Sequence, residues 1–420
     1  MNNSESILLI VIVQLIVIIA ASRLFGALFR RIGQPQVCGE IAAGLILGPS
    51  FFGGLFPALF HRVFDPSVNQ IFSTMSQLGL VMLMFMIGLE FDFSHLKDNR
   101  RLALWVSTAG VLAPFALGFL LGWQMHLALG LGGNWINFAL FIATAMSITA
   151  IPTLGRIMIE LNIHRTRLGT VTISAAAVND AAGWVILAVV SGIARSSFDP
   201  RQFAIMIACT LVFTAAMMYI VRPLAIRAIH SGLGRNAGEL SLSAFAAVMI
   251  VILLSAVATN WIGIFSIFGP FILGAVLHDQ LDLVAAVRRR LQDFVMVFFL
   301  PIFFTYTGLR TEIGSMSRAR DWLLCGLVLL AAIAGKVGGC ALAARASDLS
   351  WRDASLIGIM MNTRGLMELI VINMGYDLGI IPKSVFFMLV LMAVLTTYLT
   401  APLMRLLVKG SEIERDYFSA

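Results

Sequence analysis

Ala145-Met-Ser-Ile-Thr-Ala-Ile-Pro152 and Met361-Asn-Thr-Arg-Gly365 each fall near the middle of an apolar run long enough to cross a membrane. Both runs are therefore broken helices, interrupted by hydroxyl, amide, Pro or Gly residues that no lipid-facing helix would carry at that depth. Paired interruptions at corresponding places in two halves of a chain point to a transporter site built from inverted repeats. The two segments set the fold class: an all-α polytopic membrane protein with inverted repeats and two crossing broken helices.

The composition leaves no other class open. Of the 420 residues, 59% are hydrophobic and only 12% charged, and the mean hydropathy is +0.93. A soluble chain carries about 25% charged residues to solvate its surface, so this one must face lipid. At about 20 residues per spanning helix, thirteen spans are read: roughly 5–29, 35–52, 68–92, 102–126, 135–159, 166–194, 202–229, 237–258, 262–278, 288–309, 321–345, 353–376 and 382–408. The broken helices are spans 5 and 12, seven apart, and run in opposite directions. Span 1 lacks a preceding Lys or Arg and is too long for a signal-peptide core.

The net charge of +7 suggests no nucleic-acid partner, because basic residues of a membrane protein collect in cytoplasmic loops. Loops after odd-numbered spans hold 20 of the 29 Lys and Arg residues, among them Arg30, Arg31, Arg100, Arg101 and Arg288 to Arg290. The N-terminus is thus expected outside and the C-terminus in the cytoplasm, with a bacterial inner (plasma) membrane as the expected location. About a dozen residues follow the last span, so no attached regulatory domain is expected. Cys38, Cys209, Cys325 and Cys340 lie in apolar runs without C-x-x-C spacing and read as small core residues.

A charge at mid-bilayer costs at least ~2.5–3.5 kcal/mol, so it needs a partner, a watery cavity or a function. Glu40, Glu90, Asp180, Lys336, Arg364 and Glu368 are such residues. Asp180 sits mid-span in Ser174-Ala-Ala-Ala-Val-Asn-Asp-Ala-Ala-Gly-Trp184, where small neighbours admit close backbones. Burial penalises its charged form and a nearby cation favours it, a balance that lets a carboxylate exchange protons at physiological pH. The alternative is a static salt bridge to Lys336. That lysine is too deep to snorkel easily, and Asn179 or Asp180 is its natural partner. Ser147 and Thr149 bring hydroxyls beside Pro152; they either complete an oxygen site for a monovalent cation at Asp180 or re-satisfy the broken backbone. Arg364 and Glu368, four apart, can pair on one face and hold the broken helix together, with Asn362 and Thr363 coordinating or capping the break. Glu40 and Glu90 read as structural or cation-attracting.

Enzymatic chemistries find no support. The sequence has no G-x-S-x-G, H-E-x-x-H or G-x-x-x-x-G-K-[ST]. His61, His95, His126, His164, His230 and His278 show no metal spacing, and Tyr376-Asp377 lacks the second aspartate of an intramembrane protease.

Several motifs together resemble the monovalent cation:proton antiporter-2 family, which takes in Kef-type potassium efflux proteins, bacterial sodium/proton antiporters and plant cation/proton exchangers. They are Gly33-Gln-Pro-Gln-Val-Cys-Gly-Glu-Ile-Ala-Ala-Gly-Leu-Ile-Leu-Gly-Pro49, Leu83-Met-Phe-Met-Ile-Gly-Leu-Glu90, Ser147-Ile-Thr-Ala-Ile-Pro152 and Asn179-Asp180. Gly269-Pro-Phe-Ile-Leu-Gly-Ala275, Phe299-Leu-Pro-Ile-Phe-Phe304 and Met361-Asn-Thr-Arg-Gly-Leu-Met-Glu-Leu-Ile370 complete the set. The resemblance covers nearly the whole chain, and spans 5 and 12 look closest to the plant and fungal branch, which points toward potassium.

The resemblance implies an antiporter exchanging K+ or Na+ for H+, with no cofactor, working as a homodimer. It implies a scaffold and dimer contact from residues 1–98 and 236–316, a linker helix at 201–235, and a mobile core from 99–200 and 317–420 that moves like an elevator. The family's ion-binding aspartate maps to Asp180, the residue before it to Asn179, and its core lysine to Lys336. Asn-Asp relatives tend to exchange one cation for one proton, though many of those place Arg where this chain has Lys336. Kef-type relatives carry a nucleotide-binding domain that is not expected here, and a separate regulatory subunit is left open. The alternatives are a channel-like potassium efflux pathway and a sodium-coupled organic anion carrier on a related fold.

Overall fold

The computed structural model describes residues 3–34, 36–89, 100–160, 163, 166–195, 200–232, 241–409, 411 and 414. Glu90, His95 and His164 lie outside the described residues. All regular structure among them is helical. Apart from two short helices, Phe52–Leu55 and Pro57–Val63, the helices are α1 (Asn3–Arg31), α2 (Gln36–Leu47), α3 (Asn69–Leu89), α4 (Arg100–Leu129), α5 (Trp135–Ser147), α6 (Ile151–Glu160) and α7 (Arg167–Arg195). There follow α8 (Pro200–Ala216) and α9 (Arg222–Gly232), α10 (Leu242–Ile262), α11 (Phe268–Leu277), and α12 (Leu281–Phe294) with α13 (Leu300–Leu309). The last are α14 (Ala319–Ile333) with α15 (Gly339–Arg345), α16 (Trp351–Met361), α17 (Leu366–Asp377) and α18 (Lys383–Leu407).

Ten spans among the described residues are long and apolar enough to cross a membrane, or eleven when α16 and α17, bent by 47°, count as one. The remaining two expected spans hold the shorter apolar helices α5 and α11, so the count of thirteen is not settled by length and composition. Span 5 divides into α5 and α6 after Ser147, and span 12 into α16 and α17 after Met361. Polar caps start several helices: Asn134 Oδ1 accepts from Ile136 N at 2.9 Å ahead of α5, and Ser350 Oγ from Asp353 N at 3.1 Å ahead of α16.

The chain forms two compact units. The first comprises Met1–Ile19, Phe64–Phe93 and Ser191–Tyr306. Its centre is the packing of α3 and α10 on α11. The second comprises Ala20–Val63, Ser94–Val190 and Thr307–Ala420. In it α4 lies along α5, the α14–α15 segment packs on α4, and α16, α17 and α18 close around them. α4 and the α14–α15 segment approach closely because Gly335 has no side chain. A Cβ there would lie 2.7 Å from Pro114 Cα, far inside contact distance.

Among the described residues three spans carry a π-helical turn: Met217–Val221, Val295–Phe299 and Ala334–Gly338. Such turns widen a helix locally and often mark functional sites. Lys336 sits in the third. Cys38, Cys325 and Cys340 are buried and in no disulfide, but Cys209 on α8 is exposed, which corrects its reading as a core residue. An apolar setting in a membrane helix also describes a lipid-facing side chain, and α8 turns much of its length outward.

Candidate functional site

All nine residues singled out for the site lie in the second unit and are buried, none more than 5% exposed. The two interruptions meet. After Ser147 the chain turns extended at Ile148, with ψ 144°, and Thr149 Oγ1 donates to Met361 O at 3.2 Å. Next, Ala150 N donates to Thr363 O at 3.2 Å. The frayed end of each broken helix thus takes its hydrogen bonds from the other, as buried backbone must.

The C-terminal ends of α5 and α16 leave carbonyls without intrahelical partners and carry partial negative charge. Two buried cations answer α5. Lys336 Nζ donates to Ser147 O, to Gly110 O at 2.8 Å and to Asn179 Oδ1 at 3.3 Å. Arg364 donates to Ala145 O at 3.0 Å and Met146 O at 2.8 Å, and pairs with Glu368 at 3.0 Å. Lys336 therefore joins span 4, the break in span 5 and span 6. The side chain it bonds is Asn179, and Asp180 is within its electrostatic reach, as are Arg364 and Glu368.

Asp180 is 2% exposed beside this cluster and Asn179 is fully buried. Asn179 uses its Oδ1 on Lys336, while its Nδ2 has no hydrogen-bond partner among the described residues. Ser147 Oγ donates to Thr144 O at 2.9 Å. Both Ser147 and Thr149 thus spend their protons on backbone carbonyls, and each hydroxyl oxygen keeps lone pairs that can accept. Asn362 Oδ1 and Glu368 Oε2 are buried without hydrogen bonds among the described residues. Glu40 on α2 accepts from Gln36 Nε2 at 2.9 Å.

Four further residues belong to the arrangement. Thr397 Oγ1 donates to Arg364 O at 2.7 Å and accepts from Arg364 N at 2.9 Å. Thr400 lies 3.4 Å from Thr363, oxygen to oxygen. Thr144 accepts from Ser147. Gly110 supplies its carbonyl to Lys336, and a Cβ at Gly110 would come within 2.7 Å of Cys340 Sγ and 3.3 Å of Asn179 Nδ2. Hydroxyls and a bare carbonyl look like filler in an apolar sequence. No spacing rule picks them out.

The arrangement is a buried, oxygen-rich centre in which the carboxylate of Asp180 lies beside the fixed cations Lys336 and Arg364. It holds no nucleophile–base pair, and groups of three or more His, Cys, Asp or Glu suited to a multivalent metal are absent among the described residues. A buried carboxylate set among hydroxyl and carbonyl lone pairs is chemically able to hold either a proton or a small cation.

Comparison with known proteins agrees with the motif-based resemblance. The family profile described as "Sodium/hydrogen exchanger, transmembrane" matches residues 16–409. The Na(+)/H(+) antiporter NhaS4 of Synechocystis sp. is 39% identical over 94% of this chain and 96% of its own length. The K(+)/H(+) antiporter 1 of Saccharomyces cerevisiae is 31% identical over 97% of this chain. The chain spans about half the length of that protein, covering 47% of it. Among solved structures, the sodium proton antiporter MjNhaP1 of Methanocaldococcus jannaschii superposes with a TM-score of 0.61 at 17% identity, over 96% of each chain. That likeness bears on the fold. Taken with the broken-helix crossing and its buried charges, these matches place the chain in the transmembrane sodium/hydrogen exchanger family.

Proposed function

We propose that the protein is a secondary antiporter exchanging K+ or Na+ for H+, with the two substrates competing for Asp180. The observation that carries this is the buried Asn179–Lys336 contact at 3.3 Å beside Asp180, at the meeting point of two broken helices. Asp180 would hold a proton or a cation, never both. Asn179, Ser147 and Thr149 would add oxygens to the cation's shell, and Lys336 would balance the carboxylate when the cation is gone. Coupling then needs no further device. The empty, charged centre is costly to move through a low-dielectric surround, so only the loaded forms cross.

Under this reading residues 99–200 and 317–420 carry the substrate in an elevator-like movement against residues 1–98 and 236–316. Those latter segments would also form the homodimer contact, with 201–235 linking the two. Exchange of one cation for one proton makes transport electroneutral. The relatives' printed names, Na(+)/H(+) and K(+)/H(+) antiporter, support the substrate class. The basic loops support a cytoplasmic C-terminus.

The test is the pH dependence of cation uptake by purified protein in proteoliposomes. Competition at one carboxylate predicts that KM for the cation rises in proportion to proton concentration while the maximal rate at saturating cation stays level. A maximal rate that collapses with acid at constant KM would contradict it. Lys336→Ala should shift the pH profile more than it lowers the maximal rate.

A further inference from the structure

The end of α13 meets two neighbours in two different ways. On one side it lies directly on α2. A Cβ at Gly308 would fall 2.1 Å from Gly44 C, and one at Gly48 2.7 Å from Gly308 O, so the backbones touch with no side chain between them. Just beyond, Ser50 Oγ accepts from Ile313 N at 2.8 Å. On the other side the links are polar. Thr307 Oγ1 accepts from Asn373 Nδ2 at 2.9 Å. Arg310 donates to Asn373 Oδ1 at 3.3 Å and to Asp377 Oδ1 at 2.7 Å, and its guanidinium lies 5.2 Å from the ring centroid of Tyr376. Lys383 Nζ, at the start of α18, donates to Glu312 Oε1 at 3.1 Å.

These polar links cross a boundary of the proposed transport movement. In that reading residues 1–98 and 236–316 stay in place while 317–420 travel, so α2 and the end of α13 are fixed and α17 and α18 move. The second compact unit nevertheless begins at Thr307, which groups the end of α13 with the very segments that would leave it. The linking side chains reach water: Arg310 is 18% and Asp377 36% exposed. Water can therefore replace each lost partner at little cost. A slide of one helical turn, about 5 Å, carries Asn373 and Asp377 out of hydrogen-bond reach of Thr307 and Arg310. The glycine-on-glycine contact has no such exchange available.

We infer that Thr307, Arg310 and Glu312 form a latch with Asn373, Asp377 and Lys383, on the side expected to be outside. It is engaged in the present structure and must open for α17 to move, while the Gly44–Gly308 contact stays closed throughout. The inference rests on the elevator-like reading of transport. If residues 307–316 instead ride with α17, nothing opens.

The test uses the full chain in proteoliposomes, with Cys209→Ser removing the exposed thiol. Two cysteine pairs are bridged with the same short, reducible bis-methanethiosulfonate, and uptake of radioactive Na+ or Rb+ is followed before bridging, after it and after reduction. Arg310→Cys with Asp377→Cys spans the latch. Ser50→Cys with Ile313→Cys joins two fixed segments. Bridging the first pair should lower uptake at least ~tenfold, with recovery on reduction, and bridging the second should leave it within ~twofold. Glu312→Cys with Lys383→Cys provides an independent bridge across the latch, in case the first pair disturbs folding, and should block in the same way. Full uptake with either latch bridge in place, or a block by the Ser50–Ile313 bridge, would overturn the inference. Because the readout is cation flux alone, uptake that survives Asp180→Asn would count against competition at that carboxylate and leave the latch standing; no uptake in any variant would sink both.

Discussion

Replacing Arg364 with methionine removes a guanidinium that does two jobs, and the structure separates their sizes. The side chain is fully buried. It pairs with Glu368 at 3.0 Å and holds Ala145 O and Met146 O at 3.0 and 2.8 Å. Deleting one member of a buried pair leaves the other charge uncompensated, at about 3–5 kcal/mol. Two carbonyls at the end of α5 lose a charge-assisted donor, at about 1 kcal/mol or more each. Arg364→Met should therefore cost roughly 5–7 kcal/mol. Glu368→Met should cost less, because Arg364 keeps both carbonyls. The double substitution removes the stranded charge and should recover about 2 kcal/mol or more relative to Arg364→Met alone. The assay is a thermal unfolding series of the four purified proteins in one detergent, followed by intrinsic fluorescence and size-exclusion recovery. A double variant no more stable than Arg364→Met would refute the reasoning, since no stranded carboxyl would then be responsible.

Gly110→Ala puts a Cβ 2.7 Å from Cys340 Sγ and 3.3 Å from Asn179 Nδ2, so it should cost about 1–3 kcal/mol by overpacking and slow exchange in a vesicle assay; unchanged transport would free Asn179 from its assigned position. Thr149→Ser keeps the donor to Met361 O and should retain most activity, whereas Thr149→Val strands that carbonyl and should lower thermal stability by about 1–3 kcal/mol; equal behaviour of the two would show that the bond is dispensable. The Lys383–Glu312 pair, at 3.1 Å with side chains 55% and 41% exposed, should contribute less than about 1 kcal/mol, so Glu312→Gln should leave the unfolding temperature nearly unchanged. A large drop there would contradict the contrast drawn with Arg364–Glu368.

Much of this was readable in the sequence because membranes penalise what they do not need. A lysine and an aspartate in apolar runs, and two interruptions seven spans apart, stand out in a chain with so few charges. The structure brings Asn179, Lys336, Ser147 and the Met361–Arg364 break into one buried cluster. What stayed hidden has physical reasons. Lys336 bonds two backbone carbonyls, and a carbonyl has no sequence signature. Thr397 and Thr400 are ordinary helix hydroxyls until α18 packs on the break. The π-helical turn at Ala334–Gly338 has no periodicity of its own in the sequence. Cys209 reads as a core residue in the sequence because hydropathy cannot tell lipid from protein, yet it is exposed. Ser147 and Thr149 each had two readings, and their hydrogen bonds to Thr144 O and Met361 O show the backbone-satisfying part.

The most direct test of the central claim is proton movement in acid-loaded everted vesicles on adding K+ or Na+, membrane potential clamped, for wild type and Asp180→Asn. The account predicts that one or both cations collapse the proton gradient in wild type, and that Asp180→Asn, folded and equally abundant, does nothing. Cation-driven proton efflux that survives in Asp180→Asn would contradict the assignment of the shared site to Asp180.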